Sequence, residues 1–157
     1  MRGGTVLVLA ALSLAAACTS GSTVFTLGDA VAESTHLCAA GARNAPYPLR
    51  MSVAAHNPTS SAVVIKSVTA SLKLEAEKGP WLEKIGDVYD AGAATFTPSS
   101  IAAGSDRSLE VTVTSACTGA QSLGAAAAYG DYLVTLRVET SAGIFTVSSR
   151  NRHRIVA

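Results

Sequence analysis

The sequence has few of the residues from which metal centres and nucleophilic active sites are built. It contains three cysteines and three histidines, and the histidines, His36, His56 and His153, stand far apart. None of them lies in a serine or cysteine hydrolase motif. The acidic residues between positions 75 and 90 lack the ligand spacing of a calcium loop. These absences predict a domain without catalytic residues, cofactor or metal ion, while a site assembled in space stays open.

The sequence also lacks a large excess of positive or negative charge, and it contains few aromatic residues. The chain has 12 Lys+Arg against 11 Asp+Glu, and aromatic residues make up 5% of it. A neutral surface does not favour nucleic acid as a partner, because such binding relies on neutralising phosphates. Abundant Ala, Val, Ser, Thr and Gly, with few long helix-forming side chains, favour strands and turns over helices.

No apolar run in the sequence reaches the about 20 residues that a transmembrane helix needs. A shorter uncharged run of about 13 residues occupies positions 5–17, shortly after the basic Arg2, and this order is typical of a secretory signal peptide. The run ends in small residues, which suit cleavage by a signal peptidase. The sequence therefore predicts export from the cytoplasm.

The residues at the end of this run resemble the lipobox of bacterial lipoproteins. They are Ala15-Ala16-Ala17-Cys18, and the departure from the usual pattern is Ala15, where leucine is common. The resemblance implies cleavage before Cys18 and attachment of fatty acid chains to it. Two or more chains, at about 0.8 kcal/mol per buried CH2, anchor a domain stably. The alternative is an ordinary secretory signal that leaves Cys18 as a spare thiol.

A lipid at Cys18 would fix both the domain boundaries and the location of the chain. Residues 1–17 become the signal peptide, 18–23 a tether and 24–157 the folded domain, with a balance of basic and acidic residues because only Arg2 is removed. The domain is then expected on the extracytoplasmic side of a membrane. That membrane would be the outer one if the source has two, and otherwise the cell membrane, on its outer face.

Assigning Cys18 to lipid leaves Cys38 and Cys117, which an oxidising compartment would join as a disulfide. Closing a loop of about 80 residues stabilises a fold by roughly 4 kcal/mol in the chain-entropy model. The alternative is a reactive or metal-binding pair, since His36 and Cys38 have the spacing of half a metal site. No second His/Cys pair accompanies them, so the disulfide is favoured.

Alternating apolar and polar residues predict strands along most of the domain. The clearest alternation covers residues 49–56, 63–74, 109–114 and 132–139. About seven strands are expected, with a hairpin at Ser141-Ala142-Gly143, and this pattern resembles an immunoglobulin-like or fibronectin-like antiparallel β-sandwich. The start of the segment at Gly130-Asp131-Tyr132 resembles the tyrosine corner of such domains, although any strand can begin with a tyrosine.

The sequence also predicts local details of these elements. A break in alternation at Lys66 indicates a bulge or an edge, and Pro80 suits the first turn of a short helix carrying Trp81, Leu82 and Ile85. The remaining expectations are a first strand over 24–27, an irregular segment over 28–48, a crossing loop over 119–130 and one continuous last strand over 144–156.

Two groups of residues are candidates for a partner surface. Trp81, the only tryptophan, is either an exposed anchor for a ligand or a cap on the core. Arg150, Arg152 and Arg154 share one face of the predicted last strand. They would contact anionic lipid headgroups or an acidic partner, or else they keep that strand from aggregating.

These observations favour a function in binding over one in catalysis. The leading hypothesis is a non-enzymatic, lipid-anchored binding or assembly module of the cell envelope, held at the membrane by its N-terminal lipid and acting on an envelope protein. The rival is an envelope enzyme or enzyme inhibitor whose site is built by loops, and a deep pocket lined by His56 and carboxylates would favour it.

Overall fold

The computed structural model describes residues 23–39, 42, 44–117 and 128–157, and this part of the chain is all-β. The predicted signal peptide, Cys18 and most of the predicted tether lie outside the described residues, as does most of the predicted loop over 119–130. No helix of the described part is long and apolar enough to cross a membrane. In chain order the strands are β1 (Thr26–Ala32), β2 (Thr35–Leu37), β3 (Pro46–Asn57), β4 (Val63–Lys78), β5 (Val88–Ala93), β6 (Thr95–Thr97), β7 (Ser100–Ile101), β8 (Ser105–Ala116), β9 (Tyr129–Thr140), β10 (Gly143–Ser148) and β11 (His153–Val156).

The strands form two sheets packed as an immunoglobulin-like sandwich, as the alternation predicts. One sheet has the order β1-β3-β8-β6, and the other has the order β2-β11-β9-β4-β5, with β10 paired to β9 and β7 to β4. These orders match the ABED and CFG sheets of the immunoglobulin fold, with β5 in the place of the extra edge strand C′. The strand pairings are antiparallel except that between β2 and β11.

The core lies between the two inner faces, where the alternating apolar residues of the four long strands meet. The predicted inward faces of β3, β8 and β9 are confirmed as buried; their members are Leu49, Met51, Val53, Ala55, Leu109, Val111, Val113, Tyr132, Val134, Leu136 and Val138. The break at Lys66 is also confirmed, because the register between β4 and β9 shifts between Ile65 and Ser67. The extra residue lets β4 keep apolar side chains on the core side before and after it.

The short helix predicted after Pro80 is wrong. Bends and a turn connect β4 to β5, and the segment is fastened to the strand it leaves. Gly86 N–H donates to the Leu74 carbonyl at 2.8 Å, and Leu74 N–H donates to the Asp87 carbonyl at 3.0 Å. The backbone groups that would close helical turns are therefore used to extend pairing with β4.

The first and last predicted strands also need correction. β1 begins at Thr26 and runs to Ala32, so the segment over 28–48 contains strand residues as well as irregular chain. The predicted last strand divides into β10 and β11. Asn151, between them, accepts from Ala32 N–H at 3.0 Å and donates to the Ala32 carbonyl at 2.7 Å. The Asn151 side chain thus forms the pair of hydrogen bonds with β1 that a strand backbone would form. This contact with the other sheet separates β10 from β11.

Candidate functional site

The predicted disulfide between Cys38 and Cys117 is confirmed. It joins the residues just beyond the ends of β2 and β8, 79 positions apart in sequence, with Cα atoms 5.9 Å apart. The flanking backbone is also paired, since Cys38 N–H donates to the Val156 carbonyl at 2.8 Å and Cys117 N–H to the Ala45 carbonyl at 3.1 Å. The bridge therefore links the end of β2 in one sheet to the end of β8 in the other.

Three aromatic side chains line up beside the disulfide. The His36 ring stacks on the Tyr47 ring with centroids 3.6 Å apart and planes 4° from parallel. The Tyr47 hydroxyl lies 2.7 Å from His153 Nε2, and His153 Nδ1 lies 2.6 Å from the Glu33 carbonyl oxygen. Because a carbonyl oxygen only accepts, Nδ1 carries the proton, and Nε2 of the neutral ring accepts from Tyr47.

Burial holds both hydrogen-bonded rings in their neutral forms. His153 is fully buried, and desolvation lowers its pKa, against smaller opposing effects of the Glu33 carbonyl and the Glu33 charge. Desolvation likewise raises the pKa of Tyr47 to about 12. A neutral His153 and a neutral Tyr47 therefore form a static structural link between β11 and β3 near neutral pH.

The same region contains a group of potential metal ligands. The ligand atoms of His36, Cys38 and Cys117 all lie within 4.8 Å of one another, and this is the one such His/Cys/carboxylate group found in the described part of the chain. The sequence shows half of it, His36 and Cys38. The predicted disulfide with Cys38 brings Cys117 to the same place.

The prediction that the three arginines share one strand is wrong, because only Arg154 lies in β11 while Arg150 and Arg152 precede it. Their charges are paired within the chain. Arg152 Nε lies 3.0 Å from a Glu75 carboxylate oxygen. Arg154 donates to both oxygens of Asp131, at 2.7 and 2.8 Å, and Arg150 lies 3.3 Å from Asp29. Carboxylates thus neutralise this surface, which fits the charged-outer-face alternative. A role of the three arginines in contacting a partner stays a prediction.

Trp81 lies against the core. Its ring is partly buried, its indole N–H donates to the Tyr132 hydroxyl at 2.8 Å, and that hydroxyl donates to the Glu83 carboxylate. A Cβ built on Gly130 would approach the indole to 2.6 Å, so the ring rests directly on the β9 backbone. These contacts favour the cap over the exposed anchor. They also show that the tyrosine resembling a tyrosine corner uses its hydroxyl to fasten the β4–β5 loop.

An open groove crosses the outer face of the four-stranded sheet beside His56. It has a volume of about 690 Å³, and the His56 Nδ1 is paired with the exposed Asp106 carboxylate. Nearby, the Ser52 and Ser108 hydroxyls bond each other at 2.7 Å, and Ser108 donates to Glu110 at 2.5 Å. Within the described residues, neither serine hydroxyl is bonded to His56, so the groove holds a histidine–carboxylate pair without a coupled nucleophile.

Strand β5 forms one edge of the seven-stranded sheet, and apolar side chains are exposed on it and on the loop before it. The exposed fractions are 70% for Leu82, 62% for Ile85, 64% for Val88 and 40% for Tyr89. Leu82 and Ile85 belong to the segment for which Pro80 predicts a short helix. The structure instead presents these side chains to solvent beside β5, whose outer edge pairs with no other strand among the described residues.

Comparisons with known proteins add little to this description. No protein-family model matches the chain, and neither does any curated protein. Among solved structures, the chain is similar to the ASH/PapD-like domain of human CEP192 (PapD-like domain 7). The identity is 15%, the match covers 96% of this chain and 95% of that one, and the TM-score is 0.34. A score this low supports no functional argument, so the fold rests on the sheet topology itself.

Proposed function

We propose that this chain is a non-enzymatic, lipid-anchored binding module of the cell envelope that takes up an extended segment of a partner protein along β5. The observation that carries the proposal is the edge surface, defined as β5 together with Leu82 and Ile85 of the preceding loop. An unpaired strand edge offers backbone donors and acceptors to another chain. Exposed apolar side chains beside such an edge provide the specificity of strand addition.

The rigidity of the β4–β5 loop supports this interpretation. Hydrogen bonds from Trp81 to Tyr132 and from Tyr132 to Glu83 attach the loop to β9, and Lys84 N–H donates to Asp87 at 2.8 Å. Leu82 and Ile85 are therefore held in place while exposed. A surface that is already ordered loses less conformational entropy when a partner binds.

The charge around the edge surface indicates the chemistry of the partner segment. Residues 75–90 contain five acidic side chains and two lysines, and with Glu75 paired to Arg152 the other four acidic side chains still leave a local excess of negative charge. A segment that alternates apolar and basic residues would complement both the exposed side chains and this charge.

The membrane anchor supplies the location in this proposal. A lipid on Cys18 would hold the domain by a tether over 18–23, whose extended length is at most about 20 Å. The edge surface would then sample partners within a short distance of the bilayer. The Cys38–Cys117 disulfide is consistent with an exported chain, because such bonds persist in oxidising compartments.

Affinity purification of the tagged, lipidated chain from its own envelope tests the proposal. A stoichiometric partner is expected with the wild type and is expected to be lost with Leu82→Ser/Ile85→Ser. The matched control is Ile144→Ser, which removes an apolar side chain of similar exposure, 58%, from β10. Equal recovery of the partner with the double variant would place the binding surface elsewhere.

The second candidate function is an enzyme or enzyme inhibitor acting through the groove beside His56. The paired His56 and Asp106 favour it, because a carboxylate that orients an imidazole is a common part of acid–base sites. If no partner is recovered and an envelope substrate is turned over by the wild type but not by His56→Ala, this candidate replaces the first.

A further inference from the structure

The end of the sandwich that holds the disulfide contains side chains that could bind a metal ion. One imidazole and two sulfur atoms converge there, from His36, Cys38 and Cys117, within 4.8 Å of one another. Imidazole and thiolate are the ligands that zinc and copper(I) prefer in proteins. In the oxidised chain both sulfurs are bonded to each other, so neither is a thiolate.

We propose that reduction of the Cys38–Cys117 disulfide converts this cluster into a binding site for a thiophilic metal ion, with His36 as the third ligand. A dithiol or phosphine reductant supplies two electrons, the S–S bond breaks, and each sulfur takes up a proton. Metal binding then releases those two protons as two sulfur–metal bonds and one nitrogen–metal bond form. The disulfide and the metal site use the same sulfur atoms, so each state excludes the other.

His36 is held by contacts other than the disulfide. Its ring stacks on Tyr47, the Tyr47 hydroxyl bonds the buried His153, and His36 lies opposite Ile155 in the pairing of β2 with β11. None of these contacts involves the sulfur atoms of Cys38 or Cys117. The imidazole is therefore already oriented towards the two sulfurs, as ligands of a preorganised metal site are.

The spacing of the cysteine backbones suits one shared ion. Two zinc–sulfur bonds of about 2.3 Å at a tetrahedral angle place the sulfurs about 3.8 Å apart. Rotation of the side chains can reach that separation from Cα atoms 5.9 Å apart. Cys117 is buried, while His36 and Cys38 are partly exposed. The fourth position on a tetrahedral ion would thus face solvent and take water or an exogenous ligand.

The experiment measures Zn²⁺ binding to the full-length chain carrying Cys18→Ser, so that Cys38 and Cys117 are its only thiols. A chromophoric chelator competes for Zn²⁺ with the oxidised protein and with protein reduced by a phosphine. We expect one Zn²⁺ per reduced chain and none per oxidised chain. His36→Ala should weaken binding by more than about tenfold, whereas the control His56→Ala, on the outer face of the other sheet, should leave it unchanged.

Thermal unfolding with and without Zn²⁺ separates binding at a folded site from binding to an unfolded chain. Zn²⁺ should raise the unfolding midpoint of the reduced protein, leave that of the oxidised protein unchanged, and raise it less in His36→Ala. Binding that is equal in the reduced wild type and His36→Ala overturns the proposal. So does binding without any rise in the midpoint, because the ion would then favour no folded site.

Discussion

His153 makes the stability of this domain depend on pH. Its ring is fully buried and bonds Tyr47 and the Glu33 carbonyl, and burial lowers its pKa below the ordinary value of 6.5. Below pH 6.5 His153 is protonated in the unfolded chain, whereas in the folded chain it stays neutral to a lower pH. The stability that the neutral ring contributes is thus present above pH 6.5 and is lost as the pH falls below it.

We therefore expect the free energy of unfolding in urea to fall between pH 8 and pH 5.5, by at most about 1.4 kcal/mol per pH unit from this one group. His153→Gln removes the titrating ring, so the difference between wild type and variant should narrow as the pH falls. A difference that stays constant over this range would show that His153 does not titrate on unfolding.

Gly130 is required by the position of Trp81. A Cβ at Gly130 would lie 2.6 to 2.8 Å from three atoms of the indole, so Gly130→Ala must displace the ring or the strand. We expect the free energy of unfolding to drop by roughly 1–3 kcal/mol, as in other overpacked sites. The emission of the single tryptophan should change as well.

Gly28→Ala is the matched control for this substitution. Gly28 also lies in a strand, and a Cβ there meets nothing within 4 Å. Urea denaturation should give a free energy of unfolding within about 0.5 kcal/mol of the wild type. Equal effects of the two substitutions would mean that Trp81 does not pack on β9 as described.

At the scale of elements, the long strands could be predicted from the alternation of apolar and polar residues. One face of each strand packs in the core and the other faces solvent. Leu49, Met51 and Val53 on β3 face the core while their neighbours face solvent, and this difference is written directly in the sequence. The bulge at Lys66 was predictable for the same reason. The identity of β2 was not, because its three residues gain their strand conformation from pairing with β11, more than a hundred positions away.

The edge surface shows how local pattern and tertiary contacts can conflict. Pro80 suits the first turn of a short helix carrying Trp81, Leu82 and Ile85, but the backbone of this segment pairs with β4. Pairing with Leu74 and the bonds of Trp81 and Tyr132 determine the loop instead. These partners lie on other elements, so local sequence could not reveal them.

The disulfide links elements that are far apart in the chain, so its removal should lower the stability of the fold. For Cys38→Ser/Cys117→Ser, we expect the free energy of unfolding to decrease by about 4 kcal/mol, since a loop of 79 residues is no longer closed in the unfolded state. Urea denaturation of the oxidised wild type and the double variant measures this. A decrease below about 1 kcal/mol would mean that the bridge adds little constraint.

At the scale of the whole molecule, the proposed anchor is a property of Cys18 alone. Cys18→Ala should abolish fatty acid labelling of the chain and move it from the membrane fraction to the soluble extracytoplasmic fraction. The free energy of unfolding of the domain should stay unchanged, because Cys18 precedes the described fold. Membrane association without labelling in both forms would refute the lipoprotein prediction.

The central claim is that a partner segment lies along β5, and site-specific photo-crosslinking in intact cells tests it most directly. A photoreactive amino acid replaces Val88 on the edge surface or, as the control, Ile144 on β10, both of which are more than half exposed. The account predicts a discrete adduct with one envelope protein from position 88, none from position 144, and its loss in the Leu82→Ser/Ile85→Ser background. An adduct that forms equally from both positions, or no adduct from position 88, would contradict it.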